Sequence, residues 1–271
     1  MIFVYGDDSA DERKQRVSAV AVVVGDEEGW QALESKWIER TNGIPFHARD
    51  CESDRGDYAN ISHDDNKSLY RALTTMLAES DLGGFGVAVD LVAQRQIFPE
   101  SLDLAYYKAF LDVVQSAKNL AVHFNQIAKL TFDISTENEY NARLLYNNLR
   151  EGEPNWAKHL YREISFGSAK ECARLQVADL MAFEAMKALD HTVGPEKRRR
   201  ASWDALRATE RFDTHSYSSD WFNDLKRNYG ELERKVGFCK QDYANWLKER
   251  NRQHSISNLF HFMNWIGKRS V

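Results

Sequence analysis

The chain has 271 residues, 43% hydrophobic and 28% charged, a balance that excludes a generally disordered protein. Its longest apolar run, Val17 to Val24 interrupted only by Ser18, falls far short of the roughly 20 residues that cross a bilayer, so no membrane partner is expected. The net charge of -5 is unevenly spread: residues 195–271 hold 16 Lys and Arg against 10 Asp and Glu, whereas residues 1–194 hold 20 against 31. A basic section beside an acidic one suits a protein that holds a polyanion in one place and metal ions in another, although two solvated surfaces give the same count. Met1 leads directly into Ile2-Phe3-Val4-Tyr5 without a basic leader segment, which makes the cytoplasm the expected location. Cys51, Cys172 and Cys239 are far apart and form no CxxC pair, so neither a disulfide framework nor a zinc site is expected.

In chain order, Ile2 to Tyr5 and Val17 to Val24 are β-branched and aromatic runs on either side of a polar turn, which predicts an antiparallel hairpin. Trp30, Leu33, Trp37 and Ile38 recur at helical spacing, and Asn42-Gly43 with Pro45 ends that helix. Phe46 to Asp50 reads as a third strand, residues 51–66 as an Asp-rich loop, and Leu69 to Leu77 as a helix. A strand over Phe85 to Val92, a helix over Leu104 to Val114 and a strand over Ile127 to Ile134 follow. A helix over Asn138 to Leu149, a strand over Leu160 to Phe166 and a long helix over Cys172 to Leu189 complete the series. This order predicts an α/β fold with a mixed sheet flanked by helices, residues 1–193, and a helical C-terminal extension, residues 194–271. No strand is predicted within that extension, whose Trp203, Leu206, Trp221, Phe222, Leu225, Tyr243, Trp246 and Leu247 read as helical.

Three carboxylates stand out. Asp7 ends the first strand on the face of Phe3 and Tyr5, with Asp8 sent to the opposite face by strand parity. Asp133 ends the strand that begins near Ile127. Asp179 sits on the apolar stripe of its helix, with Leu175, Ala182 and Phe183 as neighbours, so its charge needs a cation, a metal or a proton. Carboxylates of this kind suit Mg²⁺ or Mn²⁺, because hard cations take oxygen ligands and can activate water for phosphoryl transfer. His47 is a candidate metal ligand or general acid. Lys170, with Ser168, is a candidate phosphate contact ahead of the Asp179 helix, and Glu137 or Glu184 a candidate fourth carboxylate, although both glutamates also read as solvated helix-surface residues. Lys197-Arg198-Arg199-Arg200, followed by Trp203, could clamp DNA or RNA or form an ordinary solvated face.

Tyr5-Gly6-Asp7-Asp8-Ser9-Ala10 resembles the opening Y-x-D-E-S-G signature of the domain of unknown function 3800 family, and Leu175-Gln176-Val177-Ala178-Asp179-Leu180 resembles its L-Q-x-A-D-L signature. Phe46-His47-Ala48 and Phe132-Asp133 fall where that family carries an F-H-A-like segment and an Asp-ending strand. The resemblance spans roughly residues 1–190 and implies a ribonuclease-H-like fold in which Asp7, Asp133 and Asp179 form the acidic cluster. Asp8 stands where the signature has Glu, and Ala10 where it has Gly, so that turn does not require φ > 0 at residue 10. The expected activity is that of a divalent-metal-dependent nuclease. Two other readings share the sequence: a non-catalytic protein whose helical tail binds a partner or dimerises, and a hydrolase of other phosphate esters.

Overall fold

The computed structural model describes residues 1–97, 104–134, 138–152 and 154–224, together with the single positions 227 and 248. Glu137, Cys239 and the predicted helical stretches around Leu225, Tyr243, Trp246 and Leu247 lie outside the described residues.

Two strands, β1 (Ile2–Ala10) and β2 (Val17–Gly25), pair antiparallel with Asp7 opposite Ala21. The turn between them is organised by one side chain: Asp11 Oδ1 accepts the backbone N–H groups of Gln15 (2.9 Å), Arg16 (2.7 Å) and Val17 (3.0 Å). Burial raises the Asp11 carboxyl, but those three bonds and the charge of Arg16 outweigh it and hold the group below its ordinary value. Its stabilisation is therefore complete above the unfolded carboxylate pKa of about 3.9 and is lost as pH falls through the lower folded value. Asp11→Ala is expected to lower stability by about 1.5–3 kcal/mol at neutral pH. In urea denaturation the gap from wild type should close below about pH 4; a gap that persists in acid would assign the loss to packing.

The remaining strands are β3 (Gly83–Asp90), β4 (Ala128–Asp133), β5 (Ser165–Gly167) and β6 (Phe212–Tyr217). Their order across the sheet is β5-β4-β1-β2-β3-β6. β3 pairs antiparallel with β2, whereas β4 joins β1, β5 joins β4 and β6 joins β3 in parallel. β2 is apolar along both faces because both are covered: Val17, Ala19, Ala21 and Val23 face one core, Val20 and Val22 the other.

The first core is closed by the long helix α8 (Ala173–Val193), which crosses β1, β2 and β3. Outside it lie α1 (Glu27–Arg40), α2 (Ala48–Ser53), α3 (His63–Glu79) and α9 (Ala201–Arg207). A helix between a sheet and a second layer of helices must be buried around its circumference, and α8 is, from Ala173 to Met186 without a break. The second core lies under α5 (Leu104–His123), α6 (Glu139–Gly152) and α7 (Pro154–His159) on the opposite face, while α4 (Leu91–Ile97) follows β3 directly.

Several expectations are corrected. Phe46 to Asp50 is not a strand: Phe46 is buried among Trp37, Tyr58 and Tyr70, and the chain enters α2 at Ala48. The segment 51–66 is mostly helical, comprising the end of α2, a 3-10 turn at Gly56–Tyr58 and the start of α3. The predicted strand over Leu160 to Phe166 is reduced to a bridge at Leu160 and the three residues of β5. The extension after residue 193 is not purely helical, because β6 is an edge strand of the sheet. Phe212–Tyr217 escaped pattern reading because only its two end residues are buried and the four between them are polar. The Gly83-Gly84 pair matches this edge, since a Cβ on Gly84 would lie 2.7 Å from the Phe212 ring. α9 packs on α3 with Leu206 fully buried, so residues 201–217 share the core of the first 193.

No helix among the described residues is long and apolar enough to cross a membrane.

Candidate acidic site

Strand parity and register bring Asp7 and Asp133 to one side of the sheet. Asp7 lies on the α8 face of β1, opposite the small Ala21, while Asp8 lies opposite Val20 on the other face. Gly6 permits the close pairing of β1 with β4, because a Cβ there would lie 2.4 Å from the Phe132 ring. Asp133 is the last residue of β4 and pairs with Gly167 of β5. Asp179, only 5% exposed, comes onto the same face from α8.

Each carboxylate has one oxygen held by a backbone N–H. Asp8 donates to Asp7 Oδ1 (2.7 Å), Ala169 to Asp133 Oδ1 (2.7 Å) and Ala48 to Asp179 Oδ2 (2.6 Å). The three aspartates also act on one another. Burial pushes the Asp7 carboxyl well above the usual carboxylate range, and the charges of Asp179, Asp8 and Asp133 push it further. Asp179 is pushed up to about 6 by burial and by Asp133, against the opposing pull of His47, the Ala48 N–H and Arg49.

Gln176 supplies a connection that the sequence reading missed. Its Nε2 donates to the Ala169 carbonyl (2.8 Å), the same residue whose N–H holds Asp133, and its Oε1 accepts Trp37 Nε1–H (3.1 Å). One side chain thus fastens the loop after β5 to α8 and α1. The signal was present in the spacing: Gln176 precedes Asp179 by three residues and shares its helix face. Phe46-His47-Ala48 is likewise explained by role, with Phe46 anchoring the segment in the core and Ala48 donating to Asp179.

The other candidates are placed as follows. His47 is exposed, with Nδ1 3.2 Å from Asp50 Oδ2, and close enough to Asp179 to favour its charged form. Asp8 is half-buried on the opposite face and reaches the site through its N–H and its charge. Lys170 is exposed on the loop after β5, its N–H donating to Ser168 Oγ (3.2 Å). Glu184 is not a surface residue: it is fully buried and accepts from Arg200 Nε (2.7 Å), Arg200 Nη2 (2.8 Å), Ser202 Oγ (2.9 Å) and the Tyr70 hydroxyl. The basic run is correspondingly depleted as a polyanion clamp. Arg200 is buried on Glu184 and Glu52, and Arg199 pairs with Asp204. Arg198 leans on His191.

Among the described residues, no three or more His, Cys, Asp or Glu side chains close around a point where a metal ion would sit. In kind, however, the donors fit a hard cation: three neighbouring carboxylates, Asp179 buried and Asp7 and Asp133 half-buried, with Asp7 and Asp179 raised in pKa by burial and by the charge of the other aspartates. The chain matches no protein-family model, and no curated protein matches it.

Proposed function

We propose that this chain is a divalent-metal-dependent nuclease with a ribonuclease-H-like fold, related to the domain of unknown function 3800 family. The observation that carries this reading is the approach of Asp7, Asp133 and Asp179 from three separate elements to one side of the sheet, where each of Asp7 and Asp179 is raised by burial and by its acidic neighbours. The mixed sheet flanked by helices supports the fold assignment, as do the two sequence signatures centred on Asp7 and Asp179.

In this reading Asp7, Asp133 and Asp179 would hold Mg²⁺ or Mn²⁺. When bound, the metal would supply a nucleophilic water and neutralise charge on the departing oxygen of a phosphodiester. The protein's own contribution is orientation: the N–H groups of Asp8, Ala169 and Ala48 each hold one carboxylate oxygen, and the other oxygen of each aspartate would be the one offered to the metal. Gln176 holds the Ala169 peptide in position for Asp133. His47, exposed beside Asp179, is the group placed to hold or release a proton at the leaving oxygen.

The test is a Mn²⁺ titration of the full chain followed by thermal unfolding. Mn²⁺ at 100 times its dissociation constant should stabilise wild type by about 2.7 kcal/mol, and Asp7→Asn should remove most of that gain. No stabilisation of wild type, with no Mn²⁺ bound by calorimetry, would overturn the nuclease reading and leave the non-catalytic one.

A further inference from the structure

In the Lys197–Arg200 run, the obvious polyanion candidate in the sequence, Arg200 is buried and Arg198 and Arg199 bond to His191 and Asp204, and the structure gathers positive charge at a second place. The turn between β1 and β2 lies beyond Asp7 on the same strand, and arginines from two helices and one loop converge on it. Arg49 of α2 donates from Nη2 to the Ala10 carbonyl. Arg95 of α4 donates to the Gln15 carbonyl. Arg55 pairs with Glu12 (3.0 Å), and Arg13 of the turn itself is exposed beside them.

The bonding of these groups matters more than their number. Arg49 and Arg95 rest on backbone carbonyls, and neither they nor Arg13 forms an ion pair among the described residues. A guanidinium on a carbonyl keeps its full charge, whereas one on a carboxylate is neutralised. The nearby carboxylates have other principal partners: Asp11 has three backbone N–H groups, Asp190 has Arg16, and Glu12 has Arg55, with the charges of Arg13 and Arg49 acting on it at longer range. Arg49 also stands next to Ala48, whose N–H holds Asp179, and its charge is felt at that carboxylate. The basic turn and the acidic site are therefore joined through two consecutive residues of α2.

We infer that Arg49 and Arg13, at the β1–β2 turn, hold the phosphate backbone of a nucleic acid and lead it to the acidic site. This rests on the nuclease reading for the choice of polyanion. Arg49 would contact the phosphate nearer the aspartates and Arg13 one further along the strand. Guanidinium groups suit this task because their planar N–H array matches two phosphate oxygens.

The test measures binding and cleavage separately on the full chain. Affinity for a fluorescein-labelled single-stranded oligonucleotide is followed across a KCl series with EDTA present, so that no cleavage intervenes. Arg13→Gln and Arg49→Gln should each weaken binding and flatten the log–log salt slope by about 0.7, the contribution of one phosphate contact on a single strand. Arg49→Lys keeps the charge, so it should retain the slope that Arg49→Gln loses; a merely structural role for Arg49 would lower affinity in the Gln variant without moving the slope. Should Arg49→Gln fail to fold, Arg13→Gln decides, because its side chain makes no hydrogen bond among the described residues. Unchanged slopes in the glutamine variants, with a fall in Arg199→Gln, would overturn the inference in favour of the 197–200 run. Absence of oligonucleotide binding by wild type would overturn it as well, as would displacement of the oligonucleotide by polyglutamate of equal charge. Slopes that fall as expected in a wild type that never cleaves would sustain the basic rim and defeat the nuclease reading. Cleavage with unmoved slopes would do the reverse.

Discussion

Asp133→Asn is expected to reduce metal-dependent cleavage of labelled DNA or RNA by about 10²–10³-fold, the equivalent of about 3–4 kcal/mol in the transition state. Asn keeps the shape of the side chain, and its carbonyl oxygen can still accept the Ala169 N–H that holds Oδ1. What it loses is the charge that would bind a cation. Asp133 is the most informative of the three aspartates for this purpose, because Asp179 is packed within α8 and Asp7 lies inside β1 between two paired strands. Thermal unfolding of the variant should stay close to that of wild type, which separates lost chemistry from lost structure. Equal cleavage by wild type and variant would place the activity at another site or in a contaminant.

Arg200→Met is expected to cost about 3–5 kcal/mol of stability, since it leaves Glu184 buried and charged without its cation. Arg200 binds both oxygens of Glu184, reaches Glu52 through Nη1 and packs its guanidinium over the Tyr70 and Phe183 rings. Burial and the neighbouring Glu184 push the Tyr70 hydroxyl well above its usual range, so it remains a neutral donor to Glu184. Pairing the change with Glu184→Leu should recover most of the loss, because an apolar pair of similar volume carries no desolvation penalty. Urea denaturation of the single and double variants reads this directly. A single variant as stable as wild type would mean that water reaches Glu184.

The same network explains why residues near 194 are not a simple place to divide the chain. Arg200 lies 16 positions after Glu184 and is its principal partner, and Phe212 and Leu206 belong to the first core. Gly and Pro at 194–195 followed by a charge run are the usual marks of a linker. Such marks report local backbone preference, whereas continuity of the core depends on where later side chains are buried.

The amino-acid sequence by itself determined the hairpin at the start of the chain, the alternation of strands and helices after it, and the two faces of the first strand. It also marked Asp179, because a carboxylate on an apolar stripe is costly wherever the helix packs. These features follow from periods of two and 3.6 residues, which any short window of sequence displays. Tertiary structure alone decided what meets across the chain: Ala48 on Asp179 over 131 residues, Ala169 on Asp133 over 36, and Gln176 on Trp37 over 139. It also decided that β6 joins the sheet edge, that Glu184 is buried, and that Arg49 rather than the 197–200 run stands beside the aspartates. A polar strand at a sheet edge and a charge paired in a core have no local period, and only the folded chain supplies the partners that make either one stable.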